Sequence, residues 1–223
     1  MVHGHRLREM LEFTNKPKLI FGTGELARML YGYCNEVGAI VLGFTVESNY
    51  IIGQGFQGKS VSSFTEIENI YNPKNVDMLI GVTFTGNLLP RKRIYYEALG
   101  KGYNIPSFIH PDAYISNEAV IEKGCIILEN NTIQSGVVID ENTILWSGNH
   151  IGHRTKIGKH NFISSHVVLA EAVETEERVF IGINTAVAPY VKIREGATIG
   201  MGLSILKNVE SNSLIRGRDS RDV

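Results

Sequence analysis

Between Ile109 and Ile205 an aliphatic residue recurs at every sixth position without a slip. Sixteen of the seventeen positions hold Ile, Leu or Val, and Thr175 is the exception. The position four further on is never charged or aromatic, as in Ala113, Cys125, Asn131, Asn149 and Val179. Glycine often follows the aliphatic residue, in Ile151-Gly152, Ile157-Gly158, Ile181-Gly182 and Ile199-Gly200. A six-residue period fits neither a helix nor one long strand, but it suits a coil of short strands with tight corners. One large and one small inward residue per strand fill a narrow prism.

Before the repeat the pattern changes to alternating strands and helices. Lys18–Phe21 reads as a short apolar strand, followed by Gly22-Thr23-Gly24 and a helix from Glu25 to Tyr33. Residues 39–46 read as a second strand ending at Glu47-Ser48, Ser63–Asn69 as a helix capped by Ser62 or Ser63, and 76–82 as a buried strand. A helix over 90–101 carries Arg91, Lys92 and Arg93, which read as a solvated basic face, and Tyr103–Phe108 as one more strand. Such alternation predicts a small parallel α/β domain. The expected boundaries are an extension over 1–16 with a short helix near Arg6–Phe13, the α/β domain over 17–108, the coil over 109–210 and a closing cap over 211–223. The cap is expected to hold a strand near Ser213–Ile215 and to end loosely in Arg216, Arg218, Asp219, Arg221 and Asp222.

The Gly-x-Gly-x-x-Ala turn at Gly22, Thr23 and Gly24 follows a strand and opens a helix, the context in which backbone amides cradle phosphate. It reads equally well as a tight turn that packs. Glu47, at the end of the second strand, stands about where an acid meets a ribose or base, or is a polar strand end.

Composition narrows the function classes. A formal net charge of −1 implies no general attraction to nucleic acid or anionic membranes. No apolar run reaches eighteen residues and the N-terminus is polar where a signal peptide is apolar, so a cytoplasmic protein is expected. Two cysteines, Cys34 and Cys125, are expected to stay reduced. His3 and His5, near the terminus, read as solvated.

The hexads resemble those of the hexapeptide-repeat acyltransferases, whose coil is a left-handed parallel β-helix of three hexads per turn. Eighteen residues then separate neighbours on successive laps. With the Rossmann-like α/β domain in front, the chain looks like the sugar acyltransferase branch represented by sialic acid O-acetyltransferase and by bacterial enzymes that N-acetylate nucleotide-linked amino-deoxy sugars. The resemblance implies that acetyl-CoA is held by the coil, a dTDP-, UDP- or GDP-linked amino sugar by the α/β domain, and that the protein is a homotrimer. It implies no metal.

In that family the catalytic histidine sits four residues before the aliphatic residue of an Ile-Gly hexad, which here is His153 before Ile157. The amino-sugar enzymes can have an acid after this histidine, whereas this chain has Arg154, a cation that disfavours the imidazolium. The lap register offers Glu171 above His153, either holding one ring nitrogen or simply solvated. His150 and Asn149 are candidates for substrate contact. His166, Ile183, Asn184 and Gly202 match segments lining the acetyl-CoA arm, where corner glycines expose N–H groups for the pantetheine or the thioester oxyanion. His160, stacked between Asn142 and Arg178, reads as solvated surface.

The reading that follows is acetyl transfer from acetyl-CoA to an amino group of a nucleotide-linked sugar in surface glycan synthesis, with His153 as base. Sugar O-acetylation is the alternative acceptor chemistry. A non-catalytic nucleotide-sugar-binding scaffold is the alternative of another class, for which only Arg154 speaks. The γ-type carbonic anhydrases use the same coil, but His153 and His166 fall on different faces of it.

Overall fold

A rung of this coil needs only two extended residues, because a six-residue period leaves four to turn the corner. The computed structural model describes residues 13–51, 53 and 55–217. His3, His5, the expected helix over 6–13 apart from Phe13, and the terminal Arg218, Asp219, Arg221 and Asp222 lie outside the described residues. The chain divides into two compact units, Met1–Thr85 with Pro90–Pro106, and Gly86–Leu89 with Ser107–Val223.

In the second unit a two-residue strand recurs every six residues from Phe108–Ile109 to Ser204–Ile205, and Leu214–Ile215 closes the series at the expected place. The rungs stack into three parallel sheets of seven, six and five strands. Residues pair at the expected eighteen-residue lap, as in the column Ile144, Phe162, Phe180 and Thr198. The aliphatic series fills the interior: Ile127, Leu145, Ile163, Ile181 and Ile199 are fully buried, each worth about 1.5–3 kcal/mol on transfer from water. Only the last lap is short, with Thr198 pairing Leu214 and Ile193 bridging Val209, two residues under the repeat.

Polar groups at inward positions are mostly hydrogen-bonded, as burial requires, with Asn131 Oδ1 an exception. Asn149 Nδ2 donates to Trp146 O (2.6 Å) and its Oδ1 accepts the Val167 N–H (2.8 Å). Thr175 is tolerated because Oγ1 accepts from Asn161 Nδ2 (2.6 Å) and Gly158 N–H (3.2 Å).

The corners have their own register. From Gly124 to Gly202 every sixth residue has positive φ, including Asn142, Arg154, His160, His166 and Asn184 at 56–59°. Left-handed backbone is costly for residues with a Cβ. Here a backbone bond to the previous lap offsets the cost, as in Arg154 N–H to Ser135 O (3.0 Å) and His166 N–H to Ser147 O (3.1 Å). The glycines that follow the aliphatic residues meet a different constraint. A Cβ at Gly152, Gly158 or Gly182 would lie 2.7 Å from backbone atoms of the next lap.

The first unit is a parallel four-stranded sheet in the order β3-β2-β1-β4, with β1 Lys18–Phe21, β2 Val41–Val46, β3 Val61–Ser63 and β4 Asp77–Ile80. Helix α1 (Glu25–Glu36) packs on β1 and β2 and buries Leu26, Ala27, Leu30 and Cys34. Helices α2 (Ile67–Ile70) and α3 (Leu89–Gly100) contribute Ile67, Ile94, Tyr95 and Ala98 to a core with Leu19, Phe21, Met78 and Ile80. Ser63 Oγ accepts the Thr65 N–H (3.3 Å), opening a 3-10 turn that leads into α2.

Two expectations fail here. Tyr103–Phe108 is not a strand: Asn104 makes one bridge to Asp77, Pro106 has no N–H for a ladder, and Phe108 begins the coil. The Asn104 side chain instead donates to Asp77 Oδ1 (2.9 Å), beside a buried Lys18–Asp77 ion pair of 2.8 Å. Nor does Arg91 lie on a solvated face. It is 0% exposed, and its Nη1 donates to the carbonyls of Ile80 (2.6 Å), the last residue of β4, and of Val82 (3.0 Å), two residues beyond it.

Candidate active site

His153 stands at the corner between the rungs His150–Ile151 and Lys156–Ile157, one residue before the left-handed Arg154. With Gly152 bound to the lap above and Arg154 to the lap below, its imidazole projects outward and its side chain is 50% exposed. It lines a groove of about 410 Å³ with Tyr114, Ser116, Thr132, Gln134 and Ser135. Lap spacing builds this groove: Tyr114 pairs with Thr132 and Thr132 with His150, while Gln134 sits one lap below Gly152 and Ser135 one below His153.

Both ring nitrogens have neighbours. Gln134 Oε1 accepts the His153 backbone N–H (3.0 Å) and lies 3.3 Å from Nδ1. Glu171 Oε2 lies 3.5 Å from Nε2. Glu171 also binds the Arg154 guanidinium through Oε1, which accepts from the Tyr190 hydroxyl as well (3.0 Å). The cation next to the histidine therefore has its own counter-ion.

His150 is exposed on the outer face between Thr132 and Val168. Asn149 does not share that surface, and its expected contact with substrate is corrected: it points inward and its amide is consumed by Trp146 and Val167. His166 lies at another corner, between Phe162–Ile163 and Val168–Leu169, where its ring sits over Gly148. Ile183 and Asn184 occupy the same edge one lap on, and Gly202 the lap after; Ile183 is 42% exposed. The corner glycines do not offer the expected donors. Gly182, Gly200 and Gly202 give their N–H groups to Ile199, Ile215 and Ile183 carbonyls at 2.7–2.9 Å. His160 is also corrected: it is fully buried, with Nδ1 2.8 Å from Asn142 Nδ2. Among the described residues no cluster of three or more His, Cys, Asp or Glu side chains is placed to hold a metal ion.

In the first unit, Gly22, Thr23, Gly24 and Glu47 come together. With Tyr50 and Thr83 they line a groove of about 530 Å³ at the N-terminus of α1, which no side chain caps. Gly22 has φ +109°, and a Cβ there would come within 2.9 Å of Gly81 O. Arg93 Nη2 donates to Glu47 Oε1 (2.9 Å); Glu97 first, and Glu47 after it, push the Arg93 guanidinium above its ordinary pKa.

A family model described as the GMPPB C-terminal domain matches residues 104–198. Solved structures match over more of the chain. The acetyltransferase domain of PglB from Neisseria gonorrhoeae FA1090 has 22% identity and a TM-score of 0.80, covering 91% of this chain and 97% of that one. The chain shares the fold of that domain. PerB from Caulobacter crescentus, in complex with CoA and GDP-perosamine, is similar at 19% identity and TM-score 0.80 over 89% of this chain and 92% of its own. WeeI from Acinetobacter baumannii AYE has 16% identity and TM-score 0.78 over 91% and 97%. The coil is thus the left-handed parallel β-helix that the family resemblance implies, preceded by a small α/β unit. No described helix is long and apolar enough to cross a membrane.

Proposed function

We propose that this chain transfers an acetyl group from acetyl-CoA to the amino group of a nucleotide-linked amino sugar, with His153 as the general base. The observation that carries this is the half-exposed imidazole in a groove with both ring nitrogens positioned by side chains of adjacent laps. The likeness to a protein holding CoA and GDP-perosamine supports the choice of substrates.

As the neutral amine attacks the thioester carbonyl, His153 takes the proton; the tetrahedral intermediate then collapses, and CoA leaves as the thiol. An amide product and one free thiol balance the reaction. Gly22, Thr23 and Gly24, at the open N-terminus of α1, would receive the diphosphate, with Glu47 beside the nucleoside. Ile183 and Asn184 would line the pantetheine arm, with the His166 imidazole on the lap before. That edge and the His153 edge are different corners of one coil. A homotrimer would let one copy's His153 face the other's pantetheine edge, which is why we propose that assembly.

The test is to incubate the protein with acetyl-CoA and a panel of dTDP-, UDP- and GDP-linked amino sugars and follow free thiol. Release that needs one of these acceptors is expected; release from none of them rejects the reading. A hydroxyl-only sugar in the same panel separates N- from O-acetylation.

A further inference from the structure

We propose that Gln134 is a positioning residue that sets the tautomer of His153, so that Nδ1 carries the proton and Nε2 is the basic nitrogen. This deepens the reading of His153 as the base and rests on it.

A peptide N–H only donates, so the Gln134 atom facing the His153 N–H at 3.0 Å must be the carbonyl oxygen of the amide. That fixes which way the amide points, an assignment that otherwise rests on the surrounding hydrogen bonds. The same oxygen lies 3.3 Å from Nδ1. Two acceptors cannot bond, so Nδ1 carries hydrogen and a neutral imidazole has its lone pair on Nε2. One oxygen thereby anchors both the main chain and the ring of one residue, which restricts rotation about the side-chain bonds.

Position and chemistry agree. Gln134 is one lap below Gly152, and its side chain reaches across one register position to His153. An amide acceptor orients the ring without adding charge. The carboxylate lies on the other side, with Glu171 Oε2 3.5 Å from Nε2. The Nδ1 contact at 3.3 Å has hydrogen-bond geometry, whereas this longer Nε2 contact is an ion-pair distance without a hydrogen bond, so Nε2 is not sequestered. That contact is near enough for the carboxylate to face the charge the ring carries after it has taken the substrate's proton. Arg154 and Tyr190 hold the opposite oxygen of Glu171 and keep it in place. The site separates the two tasks: Gln134 orients and Glu171 compensates charge.

Nitrogen-15 NMR of the wild-type protein, with His153 assigned through His153→Asn, reads the tautomer directly in the absence of substrate. The expected result is a protonated Nδ1 and an unprotonated Nε2 in the neutral ring; the opposite pattern overturns the inference, even in an active enzyme. An Nδ1-protonated ring in a protein that releases no thiol would instead count against the functional reading.

Kinetics give a second readout. Gln134→Leu should lower kcat about 10-fold or more while leaving the KM for acetyl-CoA within about 2-fold, because a mis-set tautomer weakens the base and not the binding. Gln134→Glu keeps an acceptor in place, so it should restore much of the rate and move the pH profile of kcat. A Leu variant with wild-type kcat, or a Glu variant no better than Leu with an unmoved profile, overturns the proposal.

Discussion

Arg154 and Glu171 are partners across a lap, and the same carboxylate reaches His153: Oε1 binds the guanidinium while Oε2 stands 3.5 Å from Nε2. The arginine that follows the histidine therefore does not face it as a bare cation. Glu171→Gln should reduce kcat about 10-fold, since the imidazolium loses its counter-ion and Arg154 its partner. Arg154→Ala should be much milder, and the double variant no worse than Glu171→Gln alone. Thiol-release kinetics on the three proteins test this.

His153 supports no core contact, so its removal should separate activity from stability. His153→Ala should lower kcat by about 100-fold or more, with Tm within about 2 °C of wild type. Turnover and a thermal melt on the same sample decide it.

Thr175 breaks the aliphatic register, yet restoring the register should harm the protein. Thr175→Val removes the acceptor for Asn161 Nδ2, leaving one buried donor unpaired at about 1–3 kcal/mol, while the Gly158 N–H keeps the Thr175 carbonyl (2.9 Å). Denaturant midpoints measure the loss.

The two kinds of corner predict opposite tolerances. Gly158→Ala places a methyl 2.7 Å from the Glu176 backbone and should cost about 1–3 kcal/mol. Asn130 is exposed with φ 58°, so Asn130→Gly, which accepts that backbone freely, should stay within about 1 kcal/mol. Paired denaturant titrations compare them.

Burial pushes the Cys34 thiol up from 9.0 to about 12, Lys18 opposing slightly. Below about pH 9 the thiol is protonated in both folded and unfolded chains, and its contribution is level. Above that the unfolded thiol ionises and the folded one does not, so stability should fall between about pH 9 and 12. Denaturant unfolding at pH 8 and 10.5 should show a smaller drop in Cys34→Ala than in wild type.

The hexad spacing was enough to foresee a coil of short strands, because Ile, Leu and Val at one register have no competing explanation at that period, and the family resemblance supplied three hexads to the lap. The left-handed corner register was not visible, since Gly, Asn, Arg, His, Ala and Tyr all occupy it and only their φ angles agree. Lap arithmetic brought Glu171 to His153 but missed Gln134, whose side chain leaves its own column for the next. It also misjudged His160, because a column gives neighbours above and below and does not say whether a side chain turns in or out; Asn149 already stood in the small inward register, which argues against its contact with substrate. Arg91 deceived for a similar reason: its place in a charged run says nothing about the strand-end carbonyls it satisfies.

The last lap, two residues short, carries a consequence for the coil as a growing object. Parallel rungs end in unpaired amides and carbonyls, and an unbroken periodic end would template another molecule onto itself. A contracted turn breaks that spacing, so this edge does not present an incoming rung with the repeat that the earlier laps follow.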